Sequence, residues 1–278
     1  ATKFFQHFIY IGNAMKNMGS RNYSLWDEED GFFYDILRYP SGHYHKFRVR
    51  SAVGLIPLYA VEVLVDEEQR ARPRFLQDMD WFVNNRQALV GQACYKSVLD
   101  GKPVHILSIV DEHKLSRILE RLKDPEEFYG DYGIRSLSKF HKKHPFTFGS
   151  GRVSYEPAEE EVKLKGGNSN WRGPLWFPTN YLLIEALAKL ETAHPHMKEL
   201  QGVARDIAER MIAIFRRDAK TGKRPVFGGQ EKFQNDPNWR DNILFYEHFH
   251  GDEGCGIGAN HQTGWTALVA SMIDDWRK

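Results

Sequence analysis

Between Trp265 and Trp276 the apolar residues fall at Trp265, Leu268, Val269, Met272, Ile273 and Trp276, a spacing that only a helix brings onto one side. The same spacing returns at Phe75, Met79, Phe82 and Val83, at Leu115, Ile118, Leu119 and Leu122, at Leu183, Leu187 and Leu190, and at Val203, Ile207, Met211 and Ile214. Strand-like alternation is confined to the patches on either side of Pro40, Ser41 and Gly42, which predict a small hairpin. About eight helical stripes, no strand–helix–strand alternation and no repeat at fixed period predict an all-α chain with a small β-hairpin and long glycine-rich loops.

Local readings fill in this outline. Phe4, Phe8, Ile11, Met15 and Met18 form one stripe on a helix that starts with almost no cap, which suggests a chain cut from something longer on the N-terminal side. Residues 51–64, SAVGLIPLYAVEVL, are apolar nearly all round and read as a helix buried between two layers. Asp111 is placed to cap the helix that Asp124 and Pro125 end. Asp27, Glu28, Glu29 and Asp30 read as a solvated acidic turn; a calcium loop is the alternative, but the spacing is not that of an EF-hand. Residues 132–145 read as loop or weak helix, and 146–165 show no strong periodicity.

Composition excludes several classes. A formal net charge of +1 and no long basic run argue against a nucleic-acid partner. No apolar run reaches the roughly 18 residues of a membrane span, and there is no signal pattern at the N-terminus. Cys94 and Cys255, far apart, make no disulfide framework or zinc set, so a reducing, cytoplasmic setting is expected.

Two stretches carry candidate chemistry. GGNSNWRGPLWF (166–177) joins glycines, which let backbone approach a ligand, to the flat faces of Trp171 and Trp176 and the donors of Asn168, Asn170 and Arg172. A sugar suits that mixture; a tryptophan-rich plug at a helix start is the structural alternative. Residues 222–264 hold eight glycines between strong helices, the setting of a functional loop. For acid–base work the candidates are Glu247, Asp241, Glu231 and Glu156. Glycoside hydrolysis needs two carboxyls, about 5–5.5 Å apart for retention and about 6.5–9.5 Å for inversion. Glu247, set among Phe245, Tyr246 and Phe249, is the strongest, with a satisfied structural glutamate as the alternative; Glu156, beside Tyr155 and Pro157, is the acid of its run expected to face inward. His248, His250 and His261 lack the spacing of a zinc site. There is no serine-nucleophile elbow, P-loop or dinucleotide fingerprint, and no metal or cofactor is expected.

NWRGPLWFPTNYLLIEAL resembles the signature of glycoside hydrolase family 63, the processing α-glucosidases, and YEHFHGDEGCGIGANHQTGWTALV resembles its C-terminal segment. With WDEEDGFFYD, VRSAVGLIPLYAVE, YGIRSLS and EKFQNDPNWRD, these blocks are similar to a bacterial and fungal glucosidase-like branch along nearly the whole chain. The resemblance implies an (α/α)6 barrel, incomplete in this chain, and an inverting mechanism on a carbohydrate substrate. Glu247 matches the general base, and Trp171, Arg172, Gly173 and Trp176 match residues lining the sugar pocket, with Asn170 and Glu156 beside them. The family's general acid, an aspartate in a glycine-rich loop, has no match here. The resemblance therefore implies that residues 1–278 are the C-terminal part of one catalytic domain whose N-terminal helices and acid loop lie outside the chain. A noncatalytic carbohydrate-binding or assembly module of the same fold is the alternative.

Overall fold

In a computed structural model of the chain, the structure describes residues 1–18, 23–91, 93–158 and 174–276. They fall into two compact units, the first Ala1–Phe47, Leu55–Ile118 and Ala186–Leu200, the second Arg48–Gly54, Leu119–Glu185 and Gln201–Lys278.

The first unit opens with helix α1 (Thr2–Lys16), then two antiparallel ladders, β1 (Trp26–Asp27) with β2 (Phe32–Phe33) and β3 (Asp35–Arg38) with β4 (Tyr44–Phe47). The β3–β4 turn is the hairpin that Pro40–Gly42 predicts. The apolar run 51–64 is not one helix: a 3-10 helix, Ala52–Tyr59, gives way at Ala60 to strand β5 (Val61–Val65). Pro57 lies inside the first piece, and the β-branched valines of VEVLV favour the second as strand. After α2 (Asp66–Gln69), α3 (Pro73–Asn85) and α4 (Gln87–Val90), strands β6 (Cys94–Leu99) and β7 (Lys102–Ser108) complete an antiparallel sheet ordered β5–β7–β6.

The core of this unit shows which side of α1 is inside. Phe5 and Ile9 pack with Phe75, Met79 and Phe82 of α3, Val90 of α4, and Cys94 and Leu107 of the sheet. The Phe5 ring meets those of Phe75 and Phe82 edge-on at 6.1 and 6.0 Å. Gly12 continues the line, because a Cβ there would stand 3.2 Å from that of Ala93. The predicted stripe holds only in part: Phe8 is partly buried against this core, but Phe4 is 80% and Ile11 57% exposed, while Phe5 and Ile9 are buried. Each large side chain so buried contributes about 1.5–3 kcal/mol of apolar transfer, so the aromatic core of α3 decides the rotation. Helix α5 (Glu112–Leu122) follows the sequence closely: Asp111 Oδ1 accepts the Lys114 N–H at 2.9 Å, and Leu115, Ile118, Leu119 and Leu122 are buried. The acidic turn is only partly solvated. Asp27 is 5% exposed and pairs with Lys46 at 3.3 Å, and the Arg117 guanidinium caps the carbonyls of Glu28 and Glu29.

The second unit holds β8 (Tyr129–Gly130) paired with β9 (Gly133–Ile134), β10 (Phe146–Phe148) paired with β11 (Gly151–Val153), helix α6 (Phe177–Ala193) as far as Glu185, its remainder belonging to the first unit, and helix α7 (Leu200–Ala213) from Gln201 on. The β10–β11 hairpin lies where no periodicity was legible. Leu183, Leu187 and Leu190 of α6, and Ile207, Met211 and Ile214 in and just beyond α7, are buried as their spacing predicts; Val203 is half-buried. In the first turn of α6 the buried Asn180 acts as a strand partner: its Oδ1 accepts the Ile134 N–H at 2.8 Å and its Nδ2 donates to the Ile134 carbonyl at 3.2 Å. Tyr129 of β8 donates to Asp206 of α7 at 2.5 Å, and Arg210 Nε binds the same oxygen at 2.6 Å. Helix α8 (Glu231–Asn235), the hairpin β12 (His248–Phe249) and β13 (Gly256–Ile257), and helices α9 (Thr263–Thr266) and α10 (Leu268–Trp276) end the chain. The last predicted helix is thus two, divided at Ala267.

The expectation of a helical chain holds in part. Helices carry most of the regular structure, but the described residues also form five two-stranded antiparallel ladders and one three-stranded antiparallel sheet. No helix among the described residues is long and apolar enough to cross a membrane.

Candidate functional site

Glu247 stands at the mouth of the β12–β13 hairpin, and its main chain is held on both sides. Its N–H donates to the Ala259 carbonyl at 2.7 Å, and its carbonyl accepts the Trp265 indole N–H at 3.1 Å. One residue earlier, the Tyr246 carbonyl accepts Thr266 Oγ1 at 2.6 Å. Beyond it, Phe249 is buried between Phe177 at 5.3 Å and Phe215 at 5.8 Å, ring to ring. The Glu247 side chain keeps 31% exposure and is the partly open group of a strand whose neighbours, Tyr246 and His248, are buried. One carboxylate oxygen receives the Ala259 N–H at 3.4 Å and lies 4.0 Å from His248 Nδ1. Gly258 makes room for it: its φ is +71°, and a Cβ there would come within 2.8 Å of that oxygen and 2.6 Å of His248 Cε1. Other residues rarely adopt that conformation, and any Cβ there would press on the carboxylate and on the His248 ring.

The two stretches singled out by sequence meet on this hairpin. Leu175 bridges Phe249 antiparallel, with N–H to carbonyl distances of 2.8 and 2.9 Å in the two directions. Trp176 follows, its ring 4.7 Å from that of His248 at a tilt of 37° and 5.8 Å from Trp265 at 83°. At 1% exposure Trp176 presents no face to solvent; it is the floor on which the His248 ring lies. Asn170, Trp171, Arg172 and Gly173 lie outside the described residues. Glu156 is half-buried between two contacts to the hairpin turn: Tyr155 donates to Asp252 at 2.6 Å, and the Pro157 carbonyl accepts the Gly251 N–H at 2.7 Å.

The other acids go elsewhere. Asp241 is exposed, in a cluster with Arg217 at 2.9 Å, Arg224 at 3.3 Å and Arg240 at 3.5 Å. The hydrogen bond from Arg217, then that from Arg224, holds its carboxyl below the usual range. Glu231 is an exposed partner of Lys223 at 3.3 Å. Of the histidines, His250 Nδ1 accepts the N–H groups of Asp252 at 3.3 Å and Glu253 at 3.2 Å, which makes it a turn cap. Among the described residues no three His, Cys, Asp or Glu side chains are grouped to hold a metal ion.

Sequence reasoning missed Arg135, Asp252 and Asn180. Arg135 is 7% exposed and binds Asp252 Oδ1 through Nε at 3.0 Å. Burial alone would raise the Asp252 pKa, but hydrogen bonds from Tyr155 and Arg135 and the Arg135 charge bring it below the ordinary value. The signal available was chemical: an arginine inside the apolar YGIRSLS and an asparagine one turn into a leucine-rich helix both need buried partners.

The sequence pattern of the glycosyl hydrolase family 63 C-terminal domain matches residues 12–223. The chain belongs to glycosyl hydrolase family 63. Glu247 lies beyond the matched residues. An uncharacterized protein of Saccharomyces cerevisiae, YMR196W, is 39% identical over 99% of this chain and 28% of its own length. A probable mannosyl-oligosaccharide glucosidase of Schizosaccharomyces pombe is 27% identical over 66% of the chain and 18% of its own length. The mannosyl-oligosaccharide glucosidase of Saccharomyces cerevisiae is 27% identical over 58% of the chain and 15% of its own length. The chain thus spans less than a third of the length of each of these relatives.

Proposed function

We propose that this chain carries the general-base half of an inverting, α-glucosidase-like active site, with Glu247 as the base. One observation carries the reading: a half-open carboxylate, fixed by main-chain bonds at Ala259 and Trp265, stands on a hairpin that pairs with the Leu175 end of the WRGPLW stretch. A general base must be aimed before substrate arrives, and rigid backbone on both sides of Glu247 aims it. It takes a proton from water, which attacks the anomeric carbon of an α-glucoside or small glycosyl conjugate as the bond to the leaving oxygen breaks. Trp171, Arg172, Gly173 and Asn170 bind the sugar, Glu156 borders it, and Trp176 supports the wall from beneath.

The general acid comes from a segment outside this chain, in keeping with relatives more than three times its length. That segment also completes an (α/α)6 barrel. A cytoplasmic setting is part of the same proposal.

The test is Glu247→Gln in the full-length parent, assayed on α-glucosides. Loss of the base lowers kcat by about 10²–10⁴-fold. Near-full activity would remove Glu247 from the mechanism and leave a noncatalytic sugar-binding module as the better reading.

A further inference from the structure

The turn of the β12–β13 hairpin, residues 250–255, is tied down more firmly than a surface turn requires. Asp252 accepts from Tyr155 at 2.6 Å and from Arg135 Nε at 3.0 Å. Arg135 is itself built into the fold: its Nη1 donates to the Pro125 carbonyl at 2.9 Å. Gly251 donates to Pro157 at 2.7 Å, and a Cβ at Gly254, φ +69°, would strike the Tyr132 ring at 2.7 Å. Segments near residues 125–135 and 155–157 therefore converge on one turn.

That turn sets the pairing that follows. The register Phe249↔Gly256 and His248↔Ile257 brings the Glu247 carboxylate beside Gly258 and its N–H to Ala259. A slip of one residue would send alternate side chains to the opposite faces and put a residue with a Cβ where Gly258 makes room. We infer that Asp252, held by Arg135 and Tyr155, is a positioning residue for Glu247: it fixes the hairpin register that aims the base, without touching substrate. The inference rests on the reading of Glu247 as base. A carboxylate is suited to this post because it accepts from a guanidinium and a phenol at once, and charge-assisted bonds are about twice as strong as neutral ones.

The experiment uses the full-length parent with Asp252→Asn, Asp252→Glu, Tyr155→Phe and Glu247→Gln, and reads kcat, KM and amide hydrogen exchange. Asp252→Asn is expected to lower kcat by ~10²-fold, the usual result of a misplacement near 1 Å, with KM little changed. Exchange over residues 247–259 should quicken while that of α7 stays as it was. Tyr155→Phe, the milder change, should move both readouts the same way by less, and Asp252→Glu should recover part of the loss. Unchanged exchange over 247–259 in both Asp252→Asn and Tyr155→Phe would overturn the inference. So would faster exchange with full kcat in Asp252→Asn while Glu247→Gln is inactive. If Glu247→Gln keeps its activity, the base reading fails, and exchange alone decides whether Asp252 holds the segment.

Discussion

Trp265 donates its indole N–H to the main-chain carbonyl of Glu247 at 3.1 Å, and the next residue, Thr266, donates its hydroxyl to the Tyr246 carbonyl at 2.6 Å. Two consecutive side chains of α9 thus read two consecutive carbonyls of the strand that bears the candidate base. Trp265→Phe keeps the apolar ring and removes the donor. Leaving a partly buried carbonyl without its partner costs about 1–3 kcal/mol, which lowers the thermal midpoint by several degrees. A midpoint within a degree of wild type would mean that the bond contributes nothing to holding Glu247.

Phe4 and Phe5 are neighbours on α1 with opposite fates, 80% and 4% exposed. Phe5→Ala removes a ring wedged between Phe75 and Phe82 and is expected to cost about 3–5 kcal/mol. Phe4→Ala should stay within about 0.5 kcal/mol. Urea unfolding of both variants decides the matter, and a larger loss for Phe4→Ala than for Phe5→Ala would show that the helix buries the side predicted from its spacing.

Lys16 is the clearest liability. Its Nζ is buried without a hydrogen-bond partner among the described residues, and burial, aided by Lys114 and opposed by Asp111, brings its pKa down to about 8 from 10.5. A lysine depressed in the folded state carries a cost that is complete below the folded pKa, fades as pH rises towards the unfolded value, and is gone above it. Lys16→Met should therefore stabilise by about 1–2 kcal/mol at pH 7, after a discount for half-burial. The gain should shrink between pH 8 and 10.5, the folded and unfolded values. Unfolding curves at neutral and alkaline pH check the sign; an advantage that grew with pH would contradict it.

Where helical spacing was long and two-sided, sequence and structure agree, as in α3, α5, α6 and α7. Three kinds of information were not in that pattern. Apolar runs do not distinguish a buried helix from a buried strand, so residues 51–64 read as one helix although from Val61 on they belong to β5. Turn chemistry was present but passed over: Asp100 and Gly101, φ +50° and +75°, are the two-residue signal of the β6–β7 hairpin. In α1 two apolar lines run side by side, and only the position of Phe75 and Phe82, far along the chain, selects between them. Of the site, Glu247 and the Trp176 stretch stood out by residue type. The Asp252, Arg135 and Tyr155 set did not, because its members are far apart in sequence and each looks ordinary alone.

Gly258 separates possession of the Glu247 carboxylate from its use. A single methyl group at that position would press within 2.8 Å of one carboxylate oxygen and 2.6 Å of the His248 ring, so the acid would survive chemically intact but be pushed from its place. Such a steric change leaves the ionisable inventory and the charge around Glu247 as they are, which a change at Glu247 itself does not.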